Sequence, residues 1–145
     1  CVIVGSGPMA QAIQVLGERM GWTVAIDESV ELATDFVAGA GPADALIILS
    51  HDASVDVPIL DAALVSSIGY IGGMGSRGPQ TRRRKALTDL GHDEAALARI
   101  HGPIGLDLGS RTPAETSVAI AAEFLANRSG RAPGRLTDGA GPING

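Results

Sequence analysis

Short apolar runs alternate along the chain with segments whose apolar residues recur at helical spacing. Strands are predicted at residues 2–4, 23–26, 45–49 and 70–71. The third run is apolar at every position, which is typical of a strand covered on both faces of its sheet. Between the first two strands, Ile13, Val15, Leu16 and Met20 indicate a helix, and Gly21 is placed to end it.

The remaining segments have weaker patterns, apart from the last helix. Helices are predicted at residues 58–67 and 79–90, with a glycine-rich turn at 72–78. Shorter elements are predicted at residues 30–33 (a helical turn), 36–37 (a strand), 97–100 (the end of a helix) and 104–108 (a strand or an extended loop). Thr112, Pro113 and Glu115 form a capping box that predicts a helix ending near Arg128. The apolar face of this helix is predicted to contain Val118, Ala121, Ala122 and Leu125.

Strands that alternate with helices predict a doubly wound, mostly parallel α/β sheet of Rossmann-like type, with helices on both faces. Ligands of such sheets bind beyond the carboxyl ends of the strands. Residues 1–130 are expected to form this domain, and residues 131–145 a glycine- and proline-rich tail. Because the chain begins inside a strand and without Met, a further N-terminal module is expected to be absent from it.

The composition favours a single folded domain without disulfides, a zinc site or a membrane span. With 145 residues, 45% hydrophobic and 19% charged, the chain is predicted to fold as a single unit. Cys1 has no second cysteine to pair with, and neither zinc-ligand spacing nor a signal peptide is visible. No apolar run reaches the ~20 residues that a membrane span needs. These features favour a cytoplasmic protein.

Charge is distributed unevenly along the chain. Residues 1–76 contain nine acids and one base, and residues 77–145 contain seven acids and ten bases, ten of the eleven bases being Arg. Arginine suits the bidentate binding of phosphate and carboxylate. Since the net charge is −5 and aromatic residues make up 3%, a nucleic-acid partner is not expected, whereas a small phosphorylated ligand is.

The first turn carries a dinucleotide fingerprint. Gly5 and Gly7 would form the turn, and Ala10 takes the third position, where close packing of helix and strand is needed. Asp27 ends the second strand, where an acid that binds a ribose hydroxyl is expected, which favours NAD over NADP. The glycines alternatively serve only a tight turn. The predicted binding residues of this turn are Gly5, Ser6, Gly7, Met9 and Ala10, with Asp27.

Two further groups of polar residues are predicted at the same edge. His51, Asp52 and Asp56 follow the third strand and are interpreted as pocket lining without a metal, although Asp52 would equally cap a helix. A Gly-Ser-Arg segment occurs twice before a helix, with the candidate residues Gly75, Ser76, Arg77, Ser110 and Arg111. Each segment offers a hydroxyl, a guanidinium and a helix N-terminus to an oxyanion, or merely caps its helix. The basic run at 82–85 is interpreted as a solvated or partner-docking face.

Three segments together resemble the XdhC/CoxI family. They are Ser50-His-Asp-Ala-Ser-Val-Asp-Val-Pro-Ile-Leu60, Tyr70-Ile-Gly-Gly-Met-Gly-Ser-Arg77 and Gly102-Pro-Ile-Gly-Leu-Asp-Leu-Gly-Ser-Arg-Thr-Pro-Ala-Glu115. The resemblance implies a Rossmann-like C-terminal domain of a maturation factor that binds the molybdenum cofactor (molybdopterin), protects it during sulfuration and helps insert it into the apoenzyme. It adds Asp107 to the residues expected at the pterin ring edge.

The predicted function is therefore that of a molybdenum cofactor chaperone for xanthine dehydrogenase-type hydroxylases, with no catalytic residues. The expected partners are the apoenzyme, the cofactor sulfurase and a small phosphorylated ligand, without nucleic acid or membrane, and a homodimer is left open. The alternatives are an NAD-dependent oxidoreductase or an NAD-binding regulatory domain, supported by Gly5, Gly7, Ala10 and Asp27.

Overall fold

The computed structural model describes residues 1–139, and its centre is a five-stranded parallel sheet. The strands are β1 (Val2–Val4), β2 (Ala25–Asp27), β3 (Ala45–Ile48), β4 (Tyr70–Gly73) and β5 (Ile100–His101). Their order across the sheet is β2-β1-β3-β4-β5, and every neighbouring pair is parallel. The chain therefore winds first to one side of β1 and then to the other, which creates a crevice between the carboxyl ends of β1 and β3.

Six α-helices cover the two faces of the sheet in the described part of the chain. They are α1 (Pro8–Arg19), α2 (Val30–Gly39), α3 (Ala53–Val65), α4 (Arg77–Asp89), α5 (Glu94–Leu97) and α6 (Pro113–Ser129). Helices α1 and α6 pack together on one face, and α2, α3 and α4 pack in sequence on the other. The predicted Rossmann-like α/β fold is confirmed.

Successive residues of the central strands enter opposite cores, as the pleat requires. Val4 and Ile48 belong to the core beneath α2, α3 and α4. Ile3 and Ile47 belong to the core beneath α1 and α6, which also contains Phe124. Because helices cover both faces, every position of these strands is apolar.

Two predicted boundaries on the α2/α3 side are wrong. The strand predicted at 36–37 lies within α2, where Ala33 and Val37, one helical turn apart, are both fully buried. Helix α3 begins at Ala53 rather than at Pro58, because the Asp52 side chain accepts a hydrogen bond from the Ser54 amide and caps the helix there. The proline therefore lies inside the helix and not in its first turn.

The glycine-rich segment and the last strand also differ from prediction. Strand β4 continues through Gly72 and Gly73, so the turn starts later than predicted. A Cβ at Gly72 would come within 2.2 Å of Ile104 Cδ1, which explains why a strand position holds glycine. The last strand, β5, precedes residues 104–108, which form a loop, the second of the two predicted alternatives for that segment. The helix predicted to end over residues 97–100 ends earlier, as α5 (Glu94–Leu97), which Asp93 caps, and Ile100 belongs instead to β5.

Helix α6 is confirmed, with a complete capping box between Thr112 and Glu115. Its predicted apolar face is partly wrong, since Ala121 is buried but Val118 is 51% exposed. Ile120 and Phe124, which are one helical turn apart, occupy the core instead.

The described part of the predicted tail, residues 131–139, is exposed and contains a short 3-10 helix, Leu136–Asp138. The rest of that prediction, residues 140–145, lies outside the described residues. Among the helices of residues 1–139, none combines the length and the apolar character that crossing a bilayer requires.

Candidate functional site

The turn between β1 and α1 has the geometry that the fingerprint predicts. Gly5 adopts φ +129° and Gly7 φ +87°, conformations that side chains disfavour. A Cβ at Gly5 would also lie 3.0 Å from Leu49 Cβ, so this glycine lets β1 and β3 end side by side. Ala10 is completely buried, in agreement with a close contact of helix and strand.

The start of α1 is open toward the rim of the sheet. Gly7 is the N-cap residue, makes no side-chain capping bond, and has no acidic residue in the helical turn that follows. A Cβ at Gly7 would meet no heavy atom within 4 Å, so the space above it is free. The start of α1 therefore presents the positive end of the helix dipole to this space, which favours an anion.

The end of β2 brings acids next to this turn. The Gly5 amide donates to the Asp27 carbonyl at 3.1 Å, which fixes the turn against β2. The Asp27 carboxylate accepts the Ser29 amide at 2.7 Å. The Ser6 hydroxyl donates to Glu28 Oε1 at 2.7 Å, a contact that the sequence did not reveal. One side of the rim is therefore acidic, while the start of α1 stays open.

After β3, the three predicted pocket residues have different surroundings. His51 is exposed at the rim. Asp52 caps α3, and hydrogen bonds from the Ser54 hydroxyl and amide lower the pKa of its carboxyl. Asp56 is 1% exposed, so it lies below the rim rather than on it.

Asp56 forms an ion pair that the sequence interpretation missed. Arg83, 4% exposed, donates from Nε to Asp56 Oδ2 at 2.7 Å. Its Nη1 donates to the Met74 carbonyl and its Nη2 to the Ser50 carbonyl, both at 2.6 Å. The interpretation of the basic run as a solvated face is thus wrong for Arg83. Its position one helical turn before the buried Leu87 was the available signal.

Burial of the ion pair affects both oxygens of the Asp56 carboxylate. Burial raises the pKa of the Asp56 carboxyl, although the hydrogen bond and charge of Arg83 act in the opposite direction. Asp56 Oδ1 is buried and has no hydrogen-bond partner. Since Arg83 also holds the carbonyls at the ends of β3 and β4, the pair fixes the relative position of two rim segments.

The first Gly-Ser-Arg segment lies at the start of α4. Gly75 adopts φ +125°. Ser76 is the N-cap of α4 but makes no side-chain capping bond, and no acid lies in the first turn. Arg77 is exposed and lines a cavity of about 310 Å³ between α4 and β5. This helix start therefore resembles that of α1 in lacking a cap.

The second segment has a different local structure. The Glu115 carboxylate accepts the amides of Arg111 and Thr112 at 2.6 and 3.1 Å, so the α6 N-terminus already holds an anionic group. The Ser110 hydroxyl donates to the Glu115 carbonyl at 3.3 Å. The Arg111 side chain is exposed, as is Asp107 in the preceding loop.

The structure places the predicted residues along one rim but in separate recesses. The turns after β1, β3 and β4 share the carboxyl edge of one parallel sheet. Ser110 and Arg111 line a cavity of about 400 Å³ beside Val118, and Arg77 lines the one between α4 and β5. Joint binding of one ligand by both Gly-Ser-Arg segments stays a prediction.

A second polar network was also missed. The Tyr70 hydroxyl donates to Glu123 Oε2 at 2.5 Å, the Gly105 amide donates to the same oxygen at 2.9 Å, and His101 Nδ1 lies 3.5 Å from Oε1. Burial acts to raise the pKa of Glu123, but the hydrogen bonds from His101, Tyr70 and Gly105 hold it below its ordinary value. This network joins α6 to β4 and β5. In residues 1–139, no three His, Cys, Asp or Glu side chains come together as metal ligands.

Comparison with known proteins identifies relatives of this domain. The family model of the XdhC Rossmann domain matches residues 1–124. The chain is 32% identical over 81 residues to the uncharacterized protein YqeB of Escherichia coli (strain K12). The aligned region covers 56% of this chain and 15% of that protein. It is 30% identical over 84 residues to the molybdenum cofactor insertion chaperone PaoD of the same organism. This second aligned region covers 58% of this chain and 26% of that protein.

A solved structure, described as a xanthine dehydrogenase from Bacillus halodurans, has a similar fold. The TM-score is 0.68 at 20% identity, over 90% of this chain and 43% of that one. This likeness concerns the fold. The chain spans less than half of each of these three proteins.

Proposed function

Because the chain belongs to the XdhC Rossmann-domain family, we propose that it binds the molybdenum cofactor as cargo and helps deliver it to an apoenzyme. The similarity to PaoD carries the identity of this cargo, since that protein is named for inserting the molybdenum cofactor. Residues 1–130 would form the binding domain. The proposed recipient is a xanthine dehydrogenase-type hydroxylase, with a cofactor sulfurase as a second partner.

The donors at the rim fit the anionic end of such a cargo. The open start of α1 at Gly7 and the exposed guanidinium of Arg77 are suited to a phosphate. His51 and Asp107 are exposed and free to meet the polar edge of a pterin. Asp52 and Asp56 serve a helix cap and a buried ion pair, so their proposed contribution is to hold the rim in shape.

The proposed mechanism is binding and shielding. The cofactor supplies its redox and oxygen-transfer chemistry only in the enzyme that receives it. In this domain, the start of α1 and the exposed Arg77 would hold anionic groups of the cargo. The ion pair of Arg83 with Asp56 would keep the ends of β3 and β4 in place. No proton transfer by this chain is needed for that role.

Binding is tested with cofactor released from a denatured molybdenum hydroxylase under anaerobic conditions. After mixing and gel filtration, pterin fluorescence is expected to co-elute with the chain. Transfer is then measured as activity gained by apo-hydroxylase when the loaded chain is added. Pterin that elutes free of the chain would refute the proposal.

A second candidate function is NAD binding by a regulatory domain or an oxidoreductase. The observation that favours it is the fixed geometry of the first turn, where the Gly5 amide bonds to the end of β2 next to the Asp27 carboxylate. Calorimetric titration with NAD and with NADP separates the two functions. Heat of binding from NAD alone would favour this candidate, and absence of heat from both would remove it.

A further inference from the structure

Helix α4 presents one polar side to the cavity between α4 and β5. Arg77, Thr81 and Arg84 line this cavity of about 310 Å³ from the helix. They are spaced at i, i+4 and i+7, so they share one helix face. Leu97, Ile100 and Pro103 line it from α5, β5 and the following loop. The volume is at the lower end of the range of about 300–1,000 Å³ for ligand pockets.

Hydrogen bonds and close contacts hold α4, the end of β4 and the loop after β5 together around this cavity. Gln80 Nε2 donates to the carbonyls of Gly73 and Gly75 at 2.8 and 3.2 Å, which ties the helix to the end of β4. A Cβ at Gly102 would lie 2.6 Å from Gln80 Oε1, so the loop after β5 passes close to this amide group. The buried Arg83 forms part of the lining. The cavity is therefore formed before any ligand arrives.

The charges of the lining are unbalanced. None of the described side chains that line the cavity is acidic. Arg83 is neutralised by Asp56, and Arg84 pairs with Glu94, whose side chain is 80% exposed. The Arg77 guanidinium meets no acid among residues 1–139. Of the two exposed arginines on this helix face, only Arg84 pairs with an acid, and that acid is itself exposed. This excess of positive charge attracts an anion.

We infer that this cavity is a phosphomonoester site, in which Arg77 and Arg84 bind the phosphate and the apolar wall of Leu97, Ile100 and Pro103 packs against a flat organic group. The inference rests on the proposed function, because it assigns the phosphate end of the pterin cargo to this cavity rather than to the Ser110–Arg111 segment. Arg84 would exchange Glu94 for the phosphate. The capped start of α6 makes the other segment the poorer phosphate site.

Amide chemical shifts of the ¹⁵N-labelled chain test the site, with inorganic phosphate and then adenosine 5′-monophosphate as probes at constant ionic strength. We expect both probes to shift the amides of residues 77–84, and the nucleotide to shift those of Leu97 and Ile100 as well. Arg77→Ala should weaken phosphate binding about tenfold or more, since a charged hydrogen bond is lost. Glu94→Gln should strengthen it by up to about fivefold, because it frees Arg84 from a surface pair.

Arg82→Ala is the matched control, since Arg82 is an exposed arginine of the same helix that does not line the cavity. Its phosphate affinity should equal that of the unaltered chain. Shifts confined to residues 5–10, or equal weakening by the two alanine variants, would overturn the inference. A chain that retains pterin without these shifts overturns the site alone, and a chain that binds phosphate here but never retains pterin overturns the proposed function alone.

Discussion

Arg83 and Asp56 form an ion pair beneath the carboxyl edge of the sheet, with Nε donating to Oδ2 at 2.7 Å and side-chain exposures of 5% and 2%. The same guanidinium binds the carbonyls of Ser50 and Met74. Two rim segments that are far apart in sequence are therefore held by one buried cation. The pair thus adds to the backbone hydrogen bond from the Met74 amide to the Ile48 carbonyl, which also joins these segments.

Replacing Arg83 with Met should lower the free energy of unfolding by about 3–5 kcal/mol, because Asp56 is left buried without its partner. The measurement is urea denaturation followed by far-ultraviolet circular dichroism. Arg82→Met, on the exposed side of the same helix, should change stability by less than about 0.5 kcal/mol. The double variant Asp56→Leu with Arg83→Met should recover much of the loss. Equal stability of the Arg83 and Arg82 variants would refute the structural role.

Gly7→Ala should reduce cofactor retention while the domain stays folded. The added methyl group meets no atom of the chain, but it enters the open space above the α1 amides. A non-glycine residue at φ 87° and ψ −169°, a region adopted almost only by glycine, costs roughly 1–3 kcal/mol. Retained pterin is measured by fluorescence after gel filtration, together with the melting temperature.

Gly21→Ala is the control for Gly7→Ala, because Gly21 has φ +79° and similarly open surroundings but ends α1 at the opposite edge. It should lose stability, because it also places a side chain at positive φ, but retain the cofactor. If the two variants lose pterin equally, backbone strain rather than the rim explains the effect.

Arg77→Ala should abolish cofactor retention without loss of the fold, whereas Arg111→Ala, beside the capped start of α6, should reduce retention less. Both side chains are exposed, so their removal leaves the core intact. Retention and melting temperature are measured together. Unchanged retention in both variants would show that neither arginine binds the cargo, whereas loss only in Arg77→Ala would favour the cavity between α4 and β5.

Acid stability should depend on Glu123. Its folded-state pKa is held below the ordinary value, so it stabilises the domain above the unfolded-state pKa of about 4.3, and the stabilisation is lost as pH falls through the folded-state pKa. Glu123→Gln should therefore be less stable at pH 7 and show a flatter decline below about pH 4. Urea midpoints between pH 7 and pH 2.5 measure this. Parallel curves for the two proteins would contradict it.

Much of the fold follows from local patterns in the sequence. The all-apolar run of β3 and the capping box of α6 predict their elements because the signals are local and strong. The predicted start of α3 at Pro58 is five residues too late, because the Asp52 side chain caps the helix at Ala53 and the proline is accommodated inside it. The reason for glycine at position 72 is the close approach of the Ile104 side chain, which lies far away in the sequence, so no local pattern predicts it.

The candidate site shows the same division between local and long-range information. The turn at Gly5 and Gly7 was predicted because its conformation is encoded locally. The pairing of Asp56 with Arg83 was missed because it joins residues 27 positions apart, and a run of basic residues normally points to solvent. The Glu123 network, which spans residues 70 to 123, was missed for the same reason.

The central claim, that this domain holds the molybdenum cofactor, is tested most directly by molybdenum and pterin analysis of the chain purified from a host that makes the cofactor. A host unable to make the cofactor provides the control. We predict pterin in substoichiometric to equimolar amount, with molybdenum alongside it, only from the competent host. A preparation from that host with neither pterin nor molybdenum would contradict the account.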